Sequence, residues 1–189
     1  MKLKDMMFVA MFAAVVVALG LIPPIPVPGL PVPITAQTLG VMLAGSVLGA
    51  KRGGLALVIF VLLVAVGAPI LSGGRGGLGI LVGTSGGYIL SWPIAAFVIG
   101  YLTERFWDKL NFAKLIVFTL IGGIIIVYLG GITQWSIVTD TPWLAVAAGN
   151  LAFIPGDLIK AIVACIVALR IKKAYPMIQK TISSERKAA

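Results

Sequence analysis

The stretch "NLAFIPGDLIKAIVA", Asn150–Ala164, is apolar enough to cross a membrane, yet it carries Asn150, Asp157 and Lys160 around a Pro155-Gly156 step. An ionisable group inside a span costs about 2.5–3.5 kcal/mol even on insertion-based scales, so such groups face a cavity or each other and mark a functional site. On a helix, Asp157 and Lys160 share a face at i, i+3, and Asn150, seven residues before Asp157, falls near the same stripe. An acceptor-only carboxylate, an ammonium and an amide would then converge. That set suits a ligand with one neutral polar group and one anionic group. The alternative is an ion pair that only neutralises itself, although burying a pair without using it rarely stabilises. The Pro-Gly step is expected to interrupt the helix just before Asp157, which a membrane tolerates where protein or water covers the freed backbone.

The rest of the chain supports a membrane reading. Its 189 residues are 60% apolar and only 11% charged, against roughly a quarter charged in soluble domains. Apolar runs at about 6–22, 34–50, 53–71, 77–103, 113–137 and 143–171 predict an all-α integral membrane protein of six transmembrane helices, with residues 1–189 forming one membrane-embedded domain. The first run lacks a cleavage site of the A-x-A kind and leads into prolines, so it is read as a span and not as a signal peptide. Thirteen of the 15 basic residues lie at Lys2, Lys4, Lys51, Arg52, Arg105, Lys109, Lys114, Arg170, Lys172, Lys173, Lys180, Arg186 and Lys187. Six spans with both termini cytoplasmic put all of these inside, as the positive-inside bias requires. The net charge of +9 is therefore a topology signal and not a nucleic-acid footprint.

The two basic residues left outside are Arg75 and Lys160. Arg75 sits in "SGGRGGLGILVGTSGGY", Ser72–Tyr88, which holds eight glycines. Gly73 and Gly74 allow backbone to approach a ligand closely, and a guanidinium grips a carboxylate bidentately. Gly79, Gly83 and Gly87 recur every four residues, a spacing that suits helix packing. Tyr88 can offer a ring face and a hydroxyl, and Gln37, in "PITAQTLGVMLAG", can reach a cavity from the outer end of the second span. Pro23–Pro33 contains six prolines and is read as a stiff extended loop able to cap that cavity. Ala10, Ala14 and Ala18 form a small-residue stripe on the first span, along which another helix can approach.

Much chemistry is excluded. With no histidine and one cysteine, Cys165, the chain lacks the commonest zinc sites, His-based nucleophile pairs and disulfides, so no metal or cofactor is expected. Gly74, Gly76 and Gly79 match G-x-G-x-x-G formally, but no strand precedes them, and no Walker A sequence exists for ATP.

The motifs "VPITAQTLGVMLAGSVLG", "GGRGGLGILVGTSGGY" and "PGDLIK" together resemble the biotin-specific substrate-capture subunit, the S component or BioY family, of energy-coupling-factor transporters. Thr84-Ser85 departs from the Pro-Thr usual there. The resemblance implies a plasma-membrane protein of a prokaryote that binds biotin tightly near its outer face and has no catalysis of its own. It also implies partners: a transmembrane coupling protein, met by the stripe of Ala10, Ala14 and Ala18, and two cytosolic ATPases whose cycle topples the subunit to release biotin inside. Arg75 or Lys160 would take the biotin carboxylate, and Asp157 and Asn150 its ureido ring. Two other classes compete: an ion-coupled secondary transporter of a small carboxylate-bearing solute using Asp157, and an intramembrane enzyme with Ser72 or Ser85 activated by Lys160.

Overall fold

The computed structural model describes residues 2–178. Lys180, Arg186 and Lys187 of the expected cytoplasmic tail lie outside the described residues. Among the described residues nine α-helices form a bundle: α1 (Leu3–Gly20), α2 (Gln37–Leu48), α3 (Ala50–Ala65), α4 (Leu78–Val82), α5 (Gly86–Arg105), α6 (Phe112–Leu120), α7 (Val127–Thr139), α8 (Trp143–Asn150) and α9 (Ile154–Ala174). A π-helical stretch, Ile121–Ile126, joins α6 to α7, and a 3-10 turn, Leu151–Phe153, joins α8 to α9. Two isolated antiparallel bridges, Ile25 with Ile34 and Leu71 with Arg75, are the β pairing among the described residues.

Four helical rods are long and apolar enough to cross a membrane: Leu3–Gly20, Gly86–Arg105, Phe112–Thr139 and Trp143–Ala174. The second and third apolar runs give shorter helices of 12 and 16 residues. At about 1.5 Å per residue these reach roughly 18 and 24 Å, short of a hydrocarbon core of about 30 Å. The fourth run, read from sequence as one span, is two helices, because Gly83 to Ser85 turn the chain between α4 and α5.

The hub is α5, which packs against α2, α3 and α7. Its inner face is fully buried at Ala95, Ala96 and Ile99, while Ile94 and Phe97 are exposed. Such tight packing needs residues without side chains at the crossings, since small residues let backbones approach. A Cβ on Gly87 would strike the Gly130 carbonyl of α7, and one on Gly100 would strike the backbone of Gly49 and Ala50. Gly79, expected to pack likewise, faces open space, so the four-residue glycine repeat is a packing device at Gly87 and not along its length.

The two ends of the bundle differ in chemistry. At one end Arg52 binds Asp5 (3.4 Å) and the Met177 carbonyl, Lys172 binds the Trp107 carbonyl and Lys114 that of Lys109. This gathers α1, α3, the α5–α6 connection and the C-terminal segment at one basic pole. The prolines, Arg75 and the Asp157–Lys160 pair lie toward the other end. Between the poles, exposed Leu62, Ile94, Val117, Ile125, Leu144 and Ile162 make a greasy perimeter that lipid can cover.

Gly100→Ala should lower the thermal midpoint in detergent by the equivalent of about 1–3 kcal/mol, the usual cost of overpacking. Gly79→Ala, which meets nothing within 4 Å, should leave the midpoint unchanged. Equal behaviour of the two variants would contradict this packing account.

Candidate functional site

The helix bearing Asp157 starts earlier than the sequence suggests. The interruption is the 3-10 turn at Leu151–Phe153, and α9 begins at Ile154 with Pro155 in its first turn, where a missing N–H costs nothing. Asp157 thus falls in the first turn, where free backbone N–H groups and the helix dipole favour a carboxylate.

Its two oxygens are both engaged. Lys160 Nζ donates to Oδ1 at 2.8 Å, Thr38 Oγ1 donates to the same oxygen at 3.3 Å, and Tyr128 Oη donates to Oδ2 at 2.6 Å. Lys160 also donates to Thr38 Oγ1 at 3.1 Å, which closes a ring of three groups from α2 and α9, with α7 supplying the fourth. Both ionic side chains are largely withdrawn from solvent, Asp157 at 7% and Lys160 at 15% exposure, so breaking the pair would leave a lone charge in an apolar bundle.

This cluster is one wall of a cavity of about 80 Å³. Val32, Pro33, Ile34 and Thr35 of the proline-rich loop form its lid, Ser85, Tyr88, Ile89 and Trp92 form a stripe of α5, and Arg75 stands at its edge. The loop is a short hairpin in which Ile25 and Ile34 exchange two backbone hydrogen bonds of 2.9 Å. The loop expected from its composition to cap the cavity thus borders it at Val32 and Pro33.

Arg75 is exposed and reaches the cavity from a turn in which Gly73 and Gly74 take φ of +80° and +68°. These two glycines shape the turn and do not line the cavity. The Leu71–Arg75 bridge fixes the backbone, and Arg75 Nε donates to the Ser72 carbonyl at 3.2 Å, leaving both terminal nitrogens without partners among the described residues.

Asn150 lies off the expected stripe, whereas Gln37 reaches the cavity as expected. The 3-10 turn takes Asn150 off the Asp157 stripe; it lies behind Tyr88, accepting from its hydroxyl at 2.6 Å and donating to the Val146 carbonyl at 2.8 Å. Its effect on the cavity is to fix Tyr88, whose ring meets Tyr128 edge-on with centroids 6.5 Å apart. Gln37 borders the cavity, but its amide is spent: Nε2 donates to the carbonyls of Val16 and Ile70, and Oε1 accepts from Ser72 N and Oγ. Ser72 is thereby tied to Gln37, and Lys160 to Asp157, so a Ser72–Lys160 nucleophile pair does not form. Sequence reasoning missed Tyr128 and Trp92 altogether; both sit in apolar runs that read as core. Among the described residues no cluster of metal-binding side chains occurs.

Ala10, Ala14 and Ala18 are all exposed on one side of α1, turned away from the bundle. The sequence model of the BioY family matches residues 1–177. The biotin transporter BioY of Rhizobium etli is 45% identical over 183 residues, which cover 94% of this chain and 98% of that protein. The probable biotin transporter BioY of Bacillus subtilis is 43% identical, covering 94% and 95%. Among solved structures, a crystal structure of the S component for biotin from an ECF-type ABC transporter superposes with a TM-score of 0.87 at 36% identity, covering 91% of this chain and 92% of that one.

If Gln37 is a structural bracket, Gln37→Met should lower thermal stability by several kcal/mol, because it strands two carbonyls and the Ser72 N–H. Arg75→Met, at an exposed side chain, should leave the midpoint in place. A stable Gln37→Met protein would overturn this assignment.

Proposed function

The chain belongs to the BioY family, and on that premise we propose that it is the membrane subunit that captures biotin with high affinity from outside and delivers it to the cytoplasm with an ATP-driven coupling module. It is a biotin-transport S component and not an enzyme. The observation that carries the reading is the Asp157–Lys160–Thr38–Tyr128 cluster, walled into a cavity with Arg75 at its edge, whose terminal guanidinium nitrogens have no partner among the described residues.

Biotin matches that arrangement group by group. Its ureido N–H donors suit the Asp157 carboxylate, the one carboxylate among the described residues that line the cavity. Its carboxylate suits Arg75, whose terminal nitrogens are unspent, better than Lys160, whose ammonium is already shared between Asp157 and Thr38. Tyr88, held by Asn150, and the apolar side chains Ile80, Ile89 and Val127 accept the bicycle and alkyl chain. The same pinning of Lys160 to Asp157 weighs against Asp157 as a carrier carboxylate for a coupling ion.

In this reading the whole chain is one domain with six crossings, α2 and α3 spanning as short helices, and with the basic pole and both termini in the cytoplasm of a prokaryote. Biotin enters beneath the proline hairpin, and the turn carrying Arg75 closes over its carboxylate. The coupling protein docks along the exposed Ala10, Ala14 and Ala18 side of α1, and two cytosolic ATPases supply the energy.

Biotin uptake into cells lacking their own importer tests the proposal. Co-expression with the coupling module should give accumulation, and Ala14→Trp should abolish uptake while the purified variant still binds biotin. Full accumulation without any coupling module would contradict the dependence on partners.

A further inference from the structure

A second, larger concavity of about 1150 Å³ lies on the flank of the bundle, between α3 and α5. Two helical stripes wall it: Lys51, Leu55 and Val58 on α3, and Pro93, Phe97, Tyr101 and Glu104 on α5, with Ile94 beside them. The two helices run in opposite directions here. Glu104 Oε1 accepts from Ala50 N at 2.9 Å, while a Cβ on Gly54 would stand 3.4 Å from Phe97 Cβ and 3.5 Å from the Pro93 carbonyl. The groove therefore changes character along its length. Its polar and interfacial residues, Asp5, Lys51, Arg52, Tyr101, Glu104 and Trp107, gather at the basic pole, and its far end, at Val58, Pro93 and Ile94, is apolar.

The length of the groove decides what fits it. Helical rise gives roughly 10 Å from Lys51 to Val58 and roughly 16 Å from Glu104 to Pro93. That is about one leaflet, half of a hydrocarbon core of about 30 Å. A partner's membrane-spanning helix needs a groove of full depth, whereas a single lipid needs only this one. Val58, Ile94 and Phe97 are exposed, so an acyl chain reaches them. Tyr101 and Trp107 stand at the polar end, where amphipathic rings meet headgroups. The sequence after Ile178, with Lys180, Arg186 and Lys187 against Glu185, is too polar to match the apolar half.

Charge selects the kind of lipid. Asp5 is paired with Arg52, whose other nitrogens donate to the Leu48 and Met177 carbonyls, and Glu104 is held by the Ala50 N–H. Lys51 is exposed and has no partner among the described residues. Around it the basic residues of this pole outnumber its carboxylates, Asp5, Glu104 and Asp108. Basic pockets between membrane helices suit anionic headgroups.

We propose that the α3–α5 groove seats one anionic phospholipid, its phosphate at Lys51 and an acyl chain along Leu55, Val58, Ile94 and Phe97. This inference goes beyond the biotin reading and does not depend on it.

The test is to add an equimolar mixture of phosphatidylglycerol and phosphatidylcholine, with identical acyl chains, to the detergent-purified full chain and to read retained lipid by native mass spectrometry. The wild type should retain one phosphatidylglycerol in preference to phosphatidylcholine. Lys51→Gln should cut that preference about fivefold, the scale of one lysine at an anionic surface. Ile94→Trp, which fills the apolar half, should reduce retention of either lipid. Lys109→Gln removes a basic residue of the same pole that does not line the groove, and should change nothing. All three substitutions fall on exposed side chains, and the thermal midpoint of each variant confirms its folding. Equal retention of the two lipids by the wild type overturns the proposal, as does a preference that survives Lys51→Gln or retention that survives Ile94→Trp. An equal loss in Lys109→Gln would assign the effect to the diffuse field of the pole and also overturn it.

Discussion

A carboxylate and an ammonium buried inside an apolar bundle constrain everything around them. Neither Asp157 nor Lys160 can be withdrawn from water unless the other is beside it and their remaining hydrogen-bonding capacity is met. Meeting it takes Thr38 from α2 and Tyr128 from α7, so three elements must converge on the first turn of α9. The cluster also leaves a polar wall in an otherwise greasy cavity, which a small ligand with complementary groups can use.

Holding those elements in register depends on features that look like defects in isolation. The Gly87–Gly130 and Gly100–Gly49 approaches pull α5 against α7 and against the α2–α3 junction. The π-helical stretch Ile121–Ile126, with Gly122 and Gly123 seated on Ile99 and Met42, inserts extra residues into the turn before Val127 and Tyr128 and so rotates both toward the cavity. A regular α-helix through that stretch would carry Tyr128 to another face.

How far the sequence could be read follows from these same features. The membrane class and the Asp157–Lys160 contact are legible because each rests on local spacing or composition. Tyr128 was hidden because its direction is set by the π turn, which no hydrophobic period announces. Asn150 was misplaced because periodicity assumes one continuous helix, and the 3-10 turn at Leu151–Phe153 spoils that phase. Gln37 looked like a ligand donor because its four hydrogen bonds reach two distant segments, Val16 of α1 and the loop of Ile70 and Ser72, brought together only by tertiary folding.

The most direct measurement is equilibrium titration of biotin into the detergent-purified chain beside Asp157→Asn and Arg75→Ala, with folding of each checked independently. The account predicts saturable one-to-one binding by the wild type, weakened at least about tenfold, or ~1.4 kcal/mol, in each variant. Wild-type affinity retained in Asp157→Asn would remove the buried cluster from the binding site and contradict the central claim.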